Sequence, residues 1–362
     1  MQLVNNIRKE LYILEYKNKK IWQEAPGLAD PYRQRYVDGI GAYIKRKNQE
    51  SNISRETFMS PEKLVNNPEY YRQKFRDMLG LNCFLSEKVN VPSEMTYVGN
   101  DDICRIYRLT VYITDEIPFY ALLLIPHHVK LPMPLTIAQH GGGGTPELCC
   151  DIYGPNNYSH MAQRALERGH AILAPQLLLW NLTETPTMRA HNIPQNRKLV
   201  DLEMKRFGSS ITALEISGII KTLDYVCHRK DIDEDNITMI GLSYGGYFTL
   251  HTMAADTRIK AGYCAGVFNN RNIYNWFDWT YKGSALTFQD AEVAALCAPR
   301  KLYIQVGKED QVFDYHSAIQ EAERVKAYFE AFDASDHFRF DVWEGGHTIS
   351  GHDMGYDFIF SP

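Results

Sequence analysis

Near its middle the chain reads Ile237-Thr238-Met239-Ile240-Gly241-Leu242-Ser243-Tyr244-Gly245-Gly246-Tyr247. An apolar run rich in β-branched residues enters a glycine-bounded serine, and a helix-compatible stretch leaves it from Tyr244. Small residues two before and two after the serine let a strand and a helix approach closely. The serine is then held in a sharp, strained turn with its hydroxyl presented at the top of the sheet. A G-x-S-x-G pentapeptide alone carries little weight; its placement between strand and helix carries more.

The neighbouring segments extend the same alternation in both directions. Upstream, Ser210–Arg229 reads as an amphipathic helix with Ile216, Ile219, Ile220, Leu223, Val226 and Cys227 on one face. Before it come the strand Leu135–His140, a helix over Tyr158–Arg168 and the strand His170–Ala174. Arg105–Ile113 and Pro118–Ile125 form a hairpin turned by Asp115-Glu116. Downstream follow the strands Lys260–Phe268 and Lys301–Val306, a helix over Ala318–Phe329 and the strand Phe338–Trp343. Such alternation builds an α/β fold with a mainly parallel central sheet flanked by helices, whose ligands gather at the carboxyl ends of the strands. Residues 1–80, rich in Tyr, Arg, Lys, Asn and Gln, read as a helical N-terminal extension packed on the main domain, which occupies 81–362. Helical stretches are expected there at Tyr32–Lys47 and Pro68–Leu79.

Composition narrows the function. The 362 residues carry 39 Lys+Arg against 44 Asp+Glu, a net charge of −5, with 44% hydrophobic and 23% charged residues. This is a globular composition without the basic excess that draws a protein to nucleic acid. The longest apolar run, Phe119–Pro126, is too short to span a bilayer, and the N-terminus has the recurring charges that a secretory signal lacks. The cysteines are odd in number (7) and form no C-x-x-C pair, so neither a zinc site nor a redox motif is expected. The expectation is a cytoplasmic protein with no cofactor, metal, nucleic-acid or membrane partner, and with homo-oligomerisation left open.

Three further loops carry candidate chemistry. Gly307-Lys308-Glu309-Asp310-Gln311 follows a strand and offers Asp310 as a carboxylate to orient an imidazole, with Glu309 and Asp314 as competitors. Glu344-Gly345-Gly346-His347 follows the last strand, where two glycines let His347 swing over the sheet; His352 is its rival. His140-Gly141-Gly142-Gly143-Gly144 exposes consecutive backbone N–H groups to a developing oxyanion. The donors are assigned to Gly142 and Tyr244, with Gly141 or Gly143 able to replace Gly142. The chain order Ser243, Asp310, His347 is that of a Ser–Asp–His triad on this type of sheet.

With these motifs, residues 75–360 resemble the α/β-hydrolase superfamily, most of all its dienelactone-hydrolase-like and acetyl-xylan-esterase-like branch. Ala298-Pro299-Arg300 before the Asp310 strand adds to the likeness. The resemblance implies Ser243 as nucleophile, His347 as general base and then acid, and Asp310 as the orienting carboxylate. It implies a small carboxylic ester as substrate, an acetylated carbohydrate among the candidates. The Gly241–Tyr247 elbow is also similar to that of prolyl-oligopeptidase-type peptidases. Those enzymes typically carry a large propeller before the hydrolase domain, for which the fewer than about 100 residues that precede the strands are expected to be too few. Glucuronoyl esterases carry Arg after the nucleophile, where Tyr244 stands here. A non-catalytic binding protein on the same fold is the remaining alternative.

The segments Gln176–Asn181 and Asn269–Trp279 follow sheet strands, and Trp180, Asn270 and Trp276 are candidates to line the substrate. Packing by Trp276, Phe277 and Trp279 is the favoured alternative for the second segment. Arg189, His191 and Arg197 lie in a long connection where they could meet a carboxylate.

Overall fold

A computed structural model describes residues 22, 24–154, 156–177, 197–274 and 276–361. The chain divides into two compact units, Met1–Glu50 and Ser51–Pro362. In the first, the described backbone is dominated by a helix that opens at Asp30 and runs on across the division to Phe58. Arg33 pairs with Asp30 at 2.6 Å and Lys47 with Glu50 at 2.7 Å, spacings that bring side chains together on one helix face.

Among the described residues of the second unit, nine strands form one sheet in the order β1-β2-β3-β5-β4-β6-β7-β8-β9. They are β1 (Glu94–Asn100), β2 (Cys104–Thr114), β3 (Ile117–Pro126), β4 (Met133–Gln139), β5 (Ala171–Pro175), β6 (Ile232–Leu242), β7 (Ile259–Ala265), β8 (Lys301–Gly307) and β9 (Phe338–Trp343). The β1/β2, β2/β3 and β3/β5 pairs are antiparallel, and every pair from β5/β4 to β8/β9 is parallel. Because β4, β6, β7, β8 and β9 run the same way, their carboxyl ends line one rim.

Alternation along the strands sends side chains into two layers. Ile237 and Met239 of β6 join Leu135, Ile137, Ile216, Ile219 and Phe248 on one face. Ile240 and Leu242 join Ala138, Tyr263, Tyr303 and Tyr356 on the other. The helices Ile211–Cys227 and Tyr244–Ala255 supply the first layer, and Met161–Glu167 and Met354–Phe360 supply the second. The helix Tyr244–Ala255 is buried along its whole length.

The helices Pro61–Asn66 and Pro68–Leu79 belong to this unit, with Leu64, Phe75 and Leu79 in its core. Arg72 donates to Ala254 O at 2.7 Å, Arg76 to Ala255 O at 2.9 Å and Arg300 to Asp256 O at 3.0 Å. Three arginines thus satisfy and electrostatically complement the carbonyl end of the helix that follows Ser243. Arg55 is fully buried between Glu292 (2.7 Å) and Glu321 (2.5 Å).

Several boundaries differ from the sequence expectation: the helix expected at Tyr32–Lys47 runs Asp30–Phe58, and that expected at Ala318–Phe329 runs Tyr315–Ala331. The helix expected from Tyr158 begins at Met161, because Ser159 and His160 adopt φ of 50° and 55°. The strand expected to reach Phe268 ends at Ala265, where Gly266 turns with φ 59°. All seven cysteines are free thiols. No helix of the described residues is long and apolar enough to cross a membrane.

Candidate active site

At the end of β6, Ser243 has φ 59° and ψ −118°, a conformation that costs a non-glycine residue on the order of 1–3 kcal/mol. The turn is held from both sides. The Ser243 N–H donates to Ala265 O at 2.8 Å, and its carbonyl accepts from Tyr247 N–H at 2.9 Å. The tight approach of helix and sheet requires glycine: a Cβ on Gly245 would stand 2.1 Å from Gln139 O.

Past β8 the chain turns back at Asp310, whose side chain is 1% exposed. Its Oδ1 accepts from the N–H groups of Val312 (2.7 Å) and Phe313 (3.1 Å), and its Oδ2 faces His347 Nδ1 at 2.8 Å. These contacts leave the carboxylate one orientation and point Nε2 of His347 away from it. The glycine-bearing loop is pinned by Glu309 N–H on Gly345 O at 2.9 Å, while Phe313 stacks on the imidazole at 5.7 Å. The ring edge lies 3.4 Å from where a Cβ of Gly266 would stand, so His347 and Ser243 both abut the Ala265–Gly266 turn. Among the described residues no hydrogen bond joins Ser243 to His347. Such contacts often close only when substrate arrives.

The rivals have other surroundings. Asp314 is 55% exposed and caps the helix Tyr315–Ala331, accepting from His316 and Ser317 N–H. Glu309 and His352 are exposed.

At the end of β4, His140 is fully buried. Its Nε2 accepts from Leu177 N–H at 3.0 Å, which leaves the ring proton on Nδ1, 2.9 Å from Gly141 O. Burial pushes its pKa down to about 4, so it stays neutral. Gly144 N–H closes a turn on Gly141 O at 3.1 Å, and the Gly141 N–H donates to the Tyr158 hydroxyl at 2.9 Å. Gly142 and Gly143 are exposed at the tip. This loop lies close to Ser243: a Cβ on Gly141 would stand 3.4 Å from its Cβ. Opposite it, Tyr244 opens the helix, and its N–H belongs to the first turn, which has no intrahelical acceptor.

The Tyr244 side chain reaches a buried ionic group. Its hydroxyl donates to Asp278 (3.0 Å to Oδ2), which also accepts from Arg197 Nε at 2.7 Å. Arg197 forms a bidentate pair with Glu215 at 2.7 and 2.8 Å and lies 5.1 Å from the Tyr244 ring. Burial alone would lower the Arg197 guanidinium, but Glu215 and Asp278 outweigh it and hold it above its usual value. The carboxylates that Arg197 meets are therefore those of this chain. Sequence reasoning missed Asp278, Glu215 and Tyr158. Glu215 left a trace, as an acid one turn before Ile219 on the apolar helix face.

Trp180, Arg189 and His191 lie outside the described residues. Asn270 is occupied locally, its Oδ1 accepting from Asn272 N–H at 2.9 Å and its N–H donating to Ser317 Oγ at 3.0 Å. Trp276 is half-buried in a stack, with centroids 4.8 Å from Trp279 and 5.4 Å from Tyr244. It also lines a cavity of about 760 Å3 together with Met78, Lys205, Phe277 and Tyr281. Ser243, Asp310 and His347 do not line that cavity. Among the described residues no three His, Cys, Asp or Glu side chains are grouped to hold a metal.

Chemically, the rim brings together a strained serine, an imidazole oriented by a buried carboxylate, and two sets of backbone N–H donors on either side of the serine. Comparison with known proteins supports the same architecture. Residues 213–331 match the prolyl oligopeptidase family. A stretch of 153 residues is 28% identical to the hydrolase candidate YtaP of Bacillus subtilis, covering 40% of this chain and 51% of that protein, about half its length. Among solved structures, a candidate acetyl xylan esterase from Bacteroides fragilis superposes with a TM-score of 0.63 at 14% identity, over 82% of this chain and 80% of that one. The methylesterase BT1017 does so with a TM-score of 0.64 at 18% identity, over 88% and 67%.

Proposed function

The chain has the α/β-hydrolase fold, and we propose that it is a serine hydrolase of small carboxylic esters, an acetylated carbohydrate being the favoured class. The observation that carries this reading is the Asp310–His347 contact of 2.8 Å beside a serine at φ 59°. In the proposed reaction His347 Nε2 takes the Ser243 proton as Oγ bonds to the ester carbonyl carbon. The carbonyl oxygen becomes an oxyanion held by the N–H groups of Gly142 and Tyr244. The C–O bond to the alcohol then breaks, and the imidazolium returns the proton to that oxygen. Water, deprotonated by His347, attacks the acyl-serine, and the acid leaves as Ser243 regains its proton. The Asp310 carboxylate orients the ring and stabilises the imidazolium.

A second reading, peptide cleavage by the same groups, is favoured by the match of residues 213–331 to a peptidase family. Turnover of p-nitrophenyl acetate far above that of an aminoacyl anilide supports the esterase; the reverse ratio supports the peptidase. Both require an activated serine. Intact-mass measurement after treatment with a fluorophosphonate is expected to show one adduct on the wild type and none on Ser243→Ala. A folded wild type that stays unlabelled would rule out both and leave a binding protein.

A further inference from the structure

Asn156 to Ser159 run between two loops of the candidate site and bond to both. On one side the Tyr158 hydroxyl accepts the Gly141 N–H at 2.9 Å. On the other, Ser159 Oγ donates to Ile349 O at 2.7 Å, and Thr348 Oγ1 donates to Asn157 O at 2.7 Å. Gly141 opens the glycine loop, and Thr348 and Ile349 directly follow His347. The segment is itself held rigid. Asn156 Nδ2 donates to Leu148 O and Asp151 Oδ1, its Oδ1 accepts from Tyr158 N–H at 2.8 Å, and Arg164 Nε donates to Ser159 O at 3.0 Å. Ser159 and His160 hold positive φ values, strain that persists only where the surroundings over-determine the backbone.

Tyr158 is 4% exposed, and burial pushes its phenol pKa up, so it remains a hydroxyl at any working pH. Its oxygen occupies the crook of the glycine loop: a Cβ on Gly144 would stand 2.2 Å from it. By taking the Gly141 amide, it prevents that N–H from serving an oxyanion. The turn closed by Gly144 N–H on Gly141 O then leaves the Gly142 and Gly143 amides at the exposed tip.

We infer that Tyr158 is a positioning residue of the oxyanion site, setting which loop amide faces the reacting carbonyl, and that Asn157 and Ser159 couple this loop to the one bearing His347. The inference rests on the reading of Ser243 as an acylated nucleophile. With a phenylalanine at 158 the ring packing is kept but the buried Gly141 N–H loses its acceptor, so the loop must reorganise to satisfy it. Acylation and deacylation both pass through an oxyanion, so both slow, whereas ground-state binding of the ester is little affected.

The test is steady-state hydrolysis of p-nitrophenyl acetate by wild type, Tyr158→Phe and Ser159→Ala, with active sites counted by fluorophosphonate titration and intact mass. For Tyr158→Phe, kcat per titrated site is expected to fall about 10- to 100-fold, somewhat less than on outright loss of an oxyanion donor. KM and the pH midpoint of kcat/KM should stay in place. A purely structural role would lower the number of titrated sites and leave kcat per site at the wild-type value, which overturns the inference. Ser159→Ala loosens the other loop and is expected to move the pH midpoint of kcat/KM; an unmoved midpoint overturns the coupling, even if Tyr158→Phe does not fold. A wild type that is not labelled at Ser243 overturns the hydrolase reading itself. Normal labelling with an unaltered Tyr158→Phe overturns this inference alone.

Discussion

Asp310 and Asp314 stand four residues apart on one stretch of chain, and their surroundings give them different work. Asp310 spends one oxygen on two backbone N–H groups and the other on His347, with 1% of its side chain exposed. Asp314 spends both on the first turn of a helix, with 55% exposed. Asp310→Asn keeps the shape but offers His347 a neutral, partly donating amide in place of a carboxylate. By analogy with other triads its kcat on p-nitrophenyl acetate should fall about 10³- to 10⁴-fold. Asp314→Ala removes a helix cap and should cost about 1 kcal/mol of stability in a denaturant titration, with kcat close to wild type. The opposite pattern, an active Asp310→Asn beside an inactive Asp314→Ala, would move the orienting acid to the second position.

The short helix Phe277–Trp279 shows how a small element can hold a large one. Asp278 accepts from Tyr244 and Arg197 through its side chain, and from Thr212 and Tyr281 through its carbonyl at 3.0 Å each. Trp279 stacks on Tyr247 at 4.6 Å, one turn further along the helix that follows Ser243. Asp278→Ala would leave Tyr244 and Arg197 short of a buried acceptor and should destabilise the protein by about 3–5 kcal/mol, read as a lower urea midpoint at unchanged m-value. Only part of this was legible beforehand. The parallel strands and the helices between them were readable because each is a continuous apolar run or an amphipathic repeat, and periodicity is local. The elbow, Asp310 and His347 were readable as candidates because glycines and strand ends mark their loops. Asp278 and Tyr158 were not, and Glu215 left only its place on an apolar helix face, because little in the local sequence announces a polar group whose partners lie 17 to 81 residues away. The start of the helix at Met161 was hidden for a related reason, since the positive φ of Ser159 and His160 is imposed by loops far along the chain.

Among the described residues of the second unit, three buried histidines make stability depend on pH. His140 lies at the end of β4, His170 beside β5 and His251 in the helix that follows Ser243. Burial is the largest cause in each and a nearby arginine adds to it, pushing the pKa values down to about 4, about 4 and about 3. In the unfolded chain each returns to about 6.5, so between roughly pH 6.5 and 4 the unfolded state binds more protons than the folded one. The contribution of these groups is therefore present in full above pH 6.5 and is lost as the pH falls toward 4, and toward 3 for His251. Each tenfold difference in proton affinity is worth about 1.4 kcal/mol, so each histidine can contribute on the order of 3 kcal/mol to this loss. Urea unfolding of the wild type at pH 7.5, 6.5, 5.5 and 4.5 should show stability falling through the last three values. His170 is the cleanest probe because its ring contacts Thr136 Oγ1 at 3.0 Å and Phe360 at 4.4 Å, away from Ser243. His170→Gln keeps a polar partner for Thr136 but cannot be protonated, so its pH slope should be shallower by up to about 1.4 kcal/mol per pH unit. A wild-type curve that is flat from pH 6.5 to 4.5, or a variant curve parallel to it, would mean that His170 is charged in the folded protein and that water reaches the ring beneath Phe360.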